Sequence, residues 1–203
     1  AAPAGLAADA PLVIALHGRG ADALDLSSLA SEVGPGRYRW IFPQAPRPVP
    51  LGPGAVGWAW YEIGEDATVV AAREQLVDFL GAVLQELKTT ASRAALIGFS
   101  QGGAMTLHGG LSFPEPFGAM GVMSGHLPAA HTLQPPPDRG ALQPIVQVHG
   151  TEDQTLPIER GRDARDWLQK AGFASEYHEF RMGHQITGES LAVVAEFLSR
   201  KLV

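Results

Sequence analysis

The sequence predicts an α/β fold in which a mostly parallel sheet of about six to seven strands carries helices on both faces. Short unbroken apolar runs, such as residues 11–17, are typical of parallel strands that are buried on both sides. Patterns with helical periodicity, clearest at residues 66–88, alternate with these runs. With 203 residues, the chain is expected to form a single domain without a cap domain, and residues 1–10 are interpreted as a disordered or processed tail.

The remaining elements are expected to follow in the same alternating order. The first half of the chain is predicted to contain strands at 11–17 and 38–42, helices at 22–33 and 66–88, and a proline-rich surface loop at 43–57. The second half is predicted to contain strands at 94–97, 118–124, 145–149 and 175–181, helices at 157–171 and 188–202, and a loop at 125–143. The helix at 66–88 is expected to bury Val70, Val77, Leu80, Leu84 and Leu87.

The composition excludes several classes of function. Hydrophobic residues make up 45% of the chain and charged residues 18%, and the formal net charge is -6. Phosphate binding needs a clustered basic surface, and the chain has no run of Lys or Arg, so no nucleic-acid partner is expected. The chain has no cysteine, which excludes disulfides and thiolate chemistry. No apolar run approaches the roughly 20 residues of a membrane helix, so stable membrane insertion is not expected.

A serine flanked by glycines separates the apolar run at 94–97 from the helical pattern that follows it. Gly98, Ser100 and Gly102 match the G-x-S-x-G nucleophile elbow, which makes Ser100 the candidate nucleophile. A serine at the tip of a sharp strand-to-helix turn has strained backbone angles, and glycine neighbours let the turn close. The pattern alone also occurs by chance in a chain with 24 glycines, so the strand and helix around it carry the prediction.

Ser100 needs a histidine base, and the histidine needs a carboxylate that fixes its tautomer. In an open parallel sheet, functional residues gather in the loops that follow the strands. Asp153 follows the strand at 145–149, and His184 follows the strand at 175–181. The chain order Ser100, Asp153, His184 is that of α/β-hydrolases, which makes Asp153 and His184 the candidate partners of Ser100.

Other acids and histidines fit these two roles less well. They are Asp163, Asp166 and His108 within helices, His178 within a strand, and Asp138 in a proline loop. His17 and His149 each end a strand before a glycine and are interpreted as hydrogen-bonded structural histidines. The seven histidines show neither short ligand spacing nor clustered carboxylates, so no metal site and no cofactor are expected.

Two backbone N–H groups are expected to stabilise the oxyanion of a tetrahedral intermediate. One belongs to Gln101, directly after the nucleophile, and the other to Arg19, in the glycine-containing turn after the first strand. Trp60, Tyr61 and Leu156 are the candidate substrate-binding residues. For the two aromatic residues, capping of the core is an equally good interpretation.

Six short segments, spread over most of the chain, together match the sequence pattern of a known family. They are Leu16-His17-Gly18-Arg19-Gly20-Ala21-Asp22, Pro43-Gln44-Ala45-Pro46, Trp60-Tyr61-Glu62-Ile63, Gly98-Phe99-Ser100-Gln101-Gly102-Gly103, His149-Gly150-Thr151-Glu152-Asp153 with Pro157, and Gly183-His184. In these segments the chain resembles the phospholipase/carboxylesterase family of α/β-hydrolases, which includes bacterial carboxylesterases and acyl-protein thioesterases. The resemblance implies the same nucleophile, the same two partners, and the same two oxyanion donors.

Two features differ from that family. The connector between Ile63 and the helix at residue 66 is very short, whereas thioesterase members carry an insertion there that helps to cover the acyl chain. This difference favours substrates with short to medium acyl chains. The chain also begins close to the first core strand, so the small strands that precede it in the superfamily are expected to be reduced or missing.

The sequence therefore predicts a serine esterase that hydrolyses small-molecule carboxylic esters through an acyl-enzyme intermediate. An acyl-protein thioesterase or lysophospholipase would use the same residues, and a non-catalytic binding domain is the remote alternative. An apolar patch at Trp58, Trp60 and the proline loops could pair two subunits as a homodimer, while packing within one chain explains these residues equally well. A cytoplasmic location is expected, and the sequence leaves a secreted or periplasmic location open.

Overall fold

Six parallel strands form the central sheet of a computed structural model that describes residues 9–136 and 138–202. The strands of the chain are β1 (Leu12–Leu16), β2 (Arg39–Ile41), β3 (Arg47–Gly52), β4 (Ala55–Ala59), β5 (Ala94–Phe99), β6 (Ala119–Met123), β7 (Ile145–Gly150) and β8 (Ser175–Phe180). The sheet order is β2-β1-β5-β6-β7-β8, while β3 and β4 pair with each other in antiparallel orientation. The helices are α1 (Leu29–Glu32), α2 (Asp66–Glu86), α3 (Gln101–Ser112), α4 (Arg139–Leu142), α5 (Ile158–Lys170) and α6 (Gly188–Lys201), with short 3-10 helices at Ala91–Arg93 and Ala130–Thr132.

Helices cover both faces of this sheet because the side chains of each buried strand alternate between the faces. Leu12, Ile14 and Leu16 of β1 contribute to a core shared with α2, α3 and α5. Val13 and Ala15 face the other way, toward α1 and α6. The sheet edge is different, since most residues of β8 are only partly buried, as its alternating sequence predicts. The predicted class, an α/β fold with a parallel sheet covered on both faces, is confirmed.

Helix α2 begins where the sequence predicts, but it buries a different stripe. The buried residues are Val69, Ala72, Leu76, Leu80 and Leu84, whereas the predicted Val70, Val77 and Leu87 are only partly buried. The distance at which α3 packs against α2 determines which residues of α2 are buried. Gly109 of α3 lies against Leu76, and a Cβ on that glycine would lie 2.7 Å from Leu76 Cδ2. Hydrophobic periodicity within α2 cannot reveal a neighbour that lacks a side chain.

The helix predicted at 22–33 is wrong, because only α1 within this segment is helical. Asp22 does not cap a helix. Its Oδ1 accepts a hydrogen bond from the N–H of Leu24 at 2.8 Å, which closes a local turn, and further turns follow over residues 23–28. The predicted end is correct, since Gly34 has φ 57 and ends the segment.

The surface loop predicted at 43–57 is also wrong, because β3 and β4 form a hairpin over much of it. Pro48 and Pro50 are compatible with β3, since each strand of a two-stranded ribbon uses only one edge for pairing. Gly52 and Gly54, with φ 136 and φ 74, form the turn between the strands.

The hairpin is attached to the loop that follows β1. The N–H of Gly20 donates to the carbonyl of Trp58 at 2.8 Å, and the N–H of Trp58 donates to the carbonyl of Ala21 at 3.0 Å. A Cβ on Gly57 would collide with the backbone of Gly20. The hairpin therefore fixes the loop in which Arg19 lies.

The predicted loop at 125–143 contains the 3-10 helix at Ala130–Thr132 and the short helix α4. Most of the predicted tail, together with any reduced strand at residues 1–8, lies outside the described residues. No helix within the described ranges is long and apolar enough to cross a membrane.

Two helical glycines provide a matched test of the packing at the β5–α3 turn. Gly102→Ala should lower the free energy of unfolding by about 1–3 kcal/mol, because the added methyl group would collide with the backbone carbonyl of Leu16. Gly81→Ala lies in α2, where nothing is within 4 Å of the added carbon, and should raise the free energy of unfolding by about 0.5–1 kcal/mol. Urea unfolding measures both changes. Effects of the same sign and size would contradict close packing at Gly102.

Candidate active site

Ser100 lies at the tip of the turn between β5 and α3. Its backbone angles are φ 56 and ψ −118, a left-handed φ that costs a non-glycine residue about 1–3 kcal/mol. The N–H of Ser100 donates to the carbonyl of Met123 in β6 at 2.9 Å, which ties the turn to the neighbouring strand. A Cβ on Gly98 would lie 2.7 Å from Thr106 Oγ1, so the residue types at the turn are dictated by close contact. The strained turn holds the Ser100 side chain at the carboxyl edge of the sheet.

A continuous chain of hydrogen bonds joins Ser100, His184 and Asp153. Ser100 Oγ lies 2.8 Å from His184 Nε2, and His184 Nδ1 lies 2.7 Å from Asp153 Oδ2. Because a carboxylate can only accept, Nδ1 carries the proton and donates it to Asp153. The lone pair on Nε2 is then free to accept the hydrogen bond of the Ser100 hydroxyl. The loops after β5, β7 and β8 thus bring together three residues that are far apart in the sequence.

Asp153 is held in place by its own loop, and its side chain is 0% exposed. Its Oδ1 accepts hydrogen bonds from the N–H groups of Thr155 at 2.9 Å and Leu156 at 2.8 Å. His149 Nε2 lies 2.9 Å from the carbonyl of Leu156 and 3.5 Å from Asp153 Oδ2. His149 is therefore a hydrogen-bonded structural histidine, and it braces the loop that presents Asp153.

His17 supports the loop that contains Arg19. Its Nδ1 donates to the carbonyl of Gly18 at 2.7 Å, and its Nε2 accepts from the N–H of Ala45 at 3.1 Å. These two bonds require a neutral ring with the proton on Nδ1. Burial lowers the pKa of His17, which agrees with the neutral form. His17 is thus structural, as expected for a histidine at the end of a strand.

The two expected oxyanion donors, Arg19 and Gln101, border the same cleft as Ser100. Neither of their backbone N–H groups has an acceptor within residues 9–136 and 138–202. Gln101 is the first residue of α3, where N–H groups are left without intrahelical partners and the helix dipole favours negative charge. Arg19 and Gln101 therefore border the cleft, and the backbone N–H group of each makes no hydrogen bond in the described part of the chain.

The side chain of Gln101 has a second role that sequence reasoning missed. Its Oε1 accepts from the N–H of Trp60 at 2.7 Å, and its Nε2 donates to the carbonyl of Tyr61 at 2.8 Å. The indole N–H of Trp60 in turn donates to the carbonyl of His17 at 2.9 Å. These bonds connect the β5–α3 turn, the segment after β4 and the loop after β1. No motif reveals them, because the paired residues are about forty positions apart.

The cleft at Ser100 has a volume of about 480 Å³. Tyr61 and Leu156, two of the three predicted substrate-binding residues, line it. Trp60 does not line this cleft and is buried behind it, with its ring centroid 5.5 Å from that of His17. Trp60 and Tyr61 lie in a bend after β4, and of the two only Tyr61 lines the cleft. No cluster of His, Asp and Glu side chains in the described part of the chain could hold a metal ion.

Two further histidines lie close to the site, His108 in α3 and His126 in the loop after β6. His126 lines the cleft, although no motif in the sequence marks it. His108 is fully buried and bonds through Nε2 to the carbonyl of Pro128 at 2.6 Å. Burial lowers the pKa of each histidine to about 4, so both rings are neutral at pH 7.

A sequence model of the phospholipase/carboxylesterase family matches residues 4–202 of the chain. Carboxylesterase SOBER1 of Arabidopsis thaliana is 29% identical over 176 residues, which cover 80% of this chain and 77% of that protein. Acyl-protein thioesterase 1 of Yarrowia lipolytica is 28% identical over 213 residues, which cover 97% of this chain and 94% of that protein. The crystal structure of Arabidopsis thaliana SOBER1 matches with a TM-score of 0.83 and 26% identity, covering 95% of this chain and 99% of that one. The fold is therefore the α/β-hydrolase fold that the sequence predicts.

The buried neutral His108 predicts a loss of stability in mild acid. Its pKa is about 4 in the folded protein and 6.5 in an unperturbed chain, so between these pH values the unfolded state binds more protons. The free energy of unfolding should therefore fall as the pH is lowered through this window. His108→Gln, whose amide can still donate to Pro128, should reduce the slope by up to about 1.4 kcal/mol per pH unit. Chemical unfolding across the window measures this.

His131→Gln is the matched control, because the His131 side chain is 72% exposed. In this variant, the free energy of unfolding should change with pH as steeply as in the parent protein. If the free energy of unfolding of His108→Gln depends on pH as strongly as that of the parent, the pKa of His108 is not lowered by burial.

Proposed function

The chain belongs to the phospholipase/carboxylesterase family, and from this premise we propose that it is a serine esterase acting on carboxylic esters. The observation that carries the proposal is the continuous hydrogen-bonded series from Ser100 Oγ through both nitrogens of His184 to Asp153. This arrangement supplies a nucleophile, a general base and a carboxylate that orients the base.

In the proposed reaction, Ser100 Oγ attacks the acyl carbon of the ester while His184 Nε2 takes the hydroxyl proton. Collapse of the tetrahedral intermediate breaks the bond to the alcohol, which leaves with the proton from Nε2. Water then attacks the acyl-enzyme, and His184 takes one of its protons. Collapse of the second intermediate releases the carboxylic acid and returns the proton to Ser100. Asp153 stabilises the charged imidazole in both half-reactions, and no cofactor enters the cycle.

Arg19 and Gln101 are proposed to stabilise the oxyanion through their backbone N–H groups. The availability of both N–H groups at the cleft supports this role. A donor aimed at the position of the developing charge typically contributes about 3–4 kcal/mol to the transition state. The bonds that brace the loop after β1, from Gly20 and Trp60, would keep one donor in position before the substrate arrives.

The proposed substrates are small esters with short to medium acyl chains. Residues 60–65 form the whole connection from β4 to α2, so little chain is available here to cover a long acyl group. Val69, Tyr61 and Leu156 give the cleft apolar walls near Ser100. Hydrolysis of acyl thioesters is the second candidate, because acyl-protein thioesterases are among the relatives and the same residues would perform that chemistry.

Labelling with a fluorophosphonate tests the nucleophile. The parent protein should gain one covalent adduct by intact mass, and Ser100→Ala should gain none, because the attacking oxygen is missing. Ser112→Ala is the matched control, since Ser112 is exposed at the end of α3, and it should label like the parent. Labelling of Ser100→Ala at the parental rate would refute the assignment.

A series of p-nitrophenyl esters tests the acyl preference. The value of kcat/KM should be highest between the acetyl and octanoyl esters and should be lower for the palmitoyl ester, since the short connector leaves a long chain uncovered. Parallel measurement of the matching acyl thioesters separates the two candidate activities. A maximum at palmitoyl, or a consistent preference for thioesters, would favour the thioesterase instead.

A further inference from the structure

His126 is fixed beside the β5–α3 turn by contact between two glycines. Its neighbour Gly125 packs against Gly103 of α3, and a Cβ on Gly103 would lie 3.1 Å from Gly125 Cα. His126 itself forms part of the cleft wall, together with Tyr61 and Pro128. The backbone that carries the imidazole thus has a defined place beside the site.

His126 has no hydrogen bond within residues 9–136 and 138–202. Its Nδ1 is buried without a partner. The other histidines near the site are different, since His17, His108, His149 and His184 each bond through at least one ring nitrogen. Because Nδ1 is buried, a molecule in the cleft would reach the ring at Nε2. A bound molecule that bonds to Nε2 would give this ring its first hydrogen bond.

The surroundings of His126 determine which ligand groups suit it. Burial, Arg160, His108 and His149 all lower its pKa, which is about 4, so the ring is neutral and has one N–H donor. The positive charge of Arg160 opposes a cationic ligand at this place. The cleft is also lined by Asp25, Glu65 and Asp66, and among the lining residues in the described part of the chain Arg19 is the one Arg or Lys.

A carboxylate on the substrate would be repelled by these acidic residues, and an ammonium group beside His126 would be repelled by the positive charge of Arg160. An uncharged oxygen atom meets neither penalty, and it accepts a hydrogen bond from a neutral imidazole. The ligand group that best suits His126 is therefore a hydroxyl, ether or carbonyl oxygen.

The uncharged oxygen that bonds to His126 would belong to the acyl part of the substrate. The leaving alcohol must lie next to His184, which gives it a proton. A separate groove of about 310 Å³ begins at His184 and is lined by Leu29, Ile186 and Thr187 among others, and it can take the alcohol. The wall formed by His126 and Tyr61 then remains for the acyl chain.

We propose that His126 is a specificity-determining residue, and that the preferred substrates are esters of oxygenated carboxylic acids whose uncharged chain oxygen accepts a hydrogen bond from its imidazole. This inference rests on the proposed esterase function.

The test compares p-nitrophenyl hexanoate with analogues in which an ether oxygen replaces one chain methylene at successive positions. The kcat/KM of each ester is first divided by the rate of alkaline hydrolysis of that same ester. On this scale, at least one analogue should have a higher value than hexanoate with the parent enzyme. In His126→Phe, the ratio of kcat/KM for that analogue to kcat/KM for hexanoate should fall about 3- to 10-fold. His126→Gln, which restores an N–H donor, should recover most of the ratio. The surface control Lys170→Gln, at the exposed end of α5, should leave it unchanged.

Two results would overturn the inference while leaving the esterase function intact. One is that the parent prefers no analogue at any position, a measurement that needs no variant. The other is an equal ratio in the parent and in folded His126→Phe. If the parent hydrolyses none of these esters, the proposed function itself fails, and the inference fails with it.

Discussion

The left-handed backbone of Ser100 is the constraint on which the site depends. A serine does not adopt φ 56 without strain, so the surrounding structure must enforce it. The bond from its N–H to Met123 in β6 provides one restraint, and the close contact between Gly102 and β1 provides another. Because β5 lies between β1 and β6 in the sheet, both neighbours of the strand act on the same turn. Parallel strand pairing thereby determines where the hydroxyl points.

The groups around Ser100 are held by a layer of polar contacts rather than by apolar packing alone. Gln101 and His17 are both buried, and each bonds to backbone groups on a different segment. Trp60 completes the connection through its indole N–H. Buried polar groups that are fully paired favour one arrangement, because any shift would leave a donor or acceptor without a partner. These bonds therefore favour one arrangement of the loop that contains Arg19 and of the turn that precedes Gln101.

Local sequence patterns predict the residues that follow each strand, and the order of the strands then brings these residues together. They do not predict structure that depends on contacts between distant segments. Asp153 and His184 could be placed because each follows a strand that is recognisable from its own residues. The β3–β4 hairpin could not, since its prolines and glycines suit a loop equally well, and its pairing is fixed by contact with Gly20. The prediction of Trp60 at the cleft wall is wrong, because sequence alone does not show which of two adjacent aromatic residues faces the cleft. His126 carries no motif, and only the shape of the cleft identifies it.

The contact between the hairpin and the loop after β1 also limits how relatives of this chain can diverge. Gly57 and Gly20 meet backbone to backbone, so neither residue type nor spacing can change there without moving Arg19. The tip of the hairpin makes no such contact, since nothing lies within 4 Å of an added Cβ at Gly52 or Gly54, and only their positive φ angles favour glycine there. Insertions are therefore tolerable at the tip and damaging at the base. Homologous chains can vary in the reach of this hairpin while they keep the same geometry at the reacting atoms.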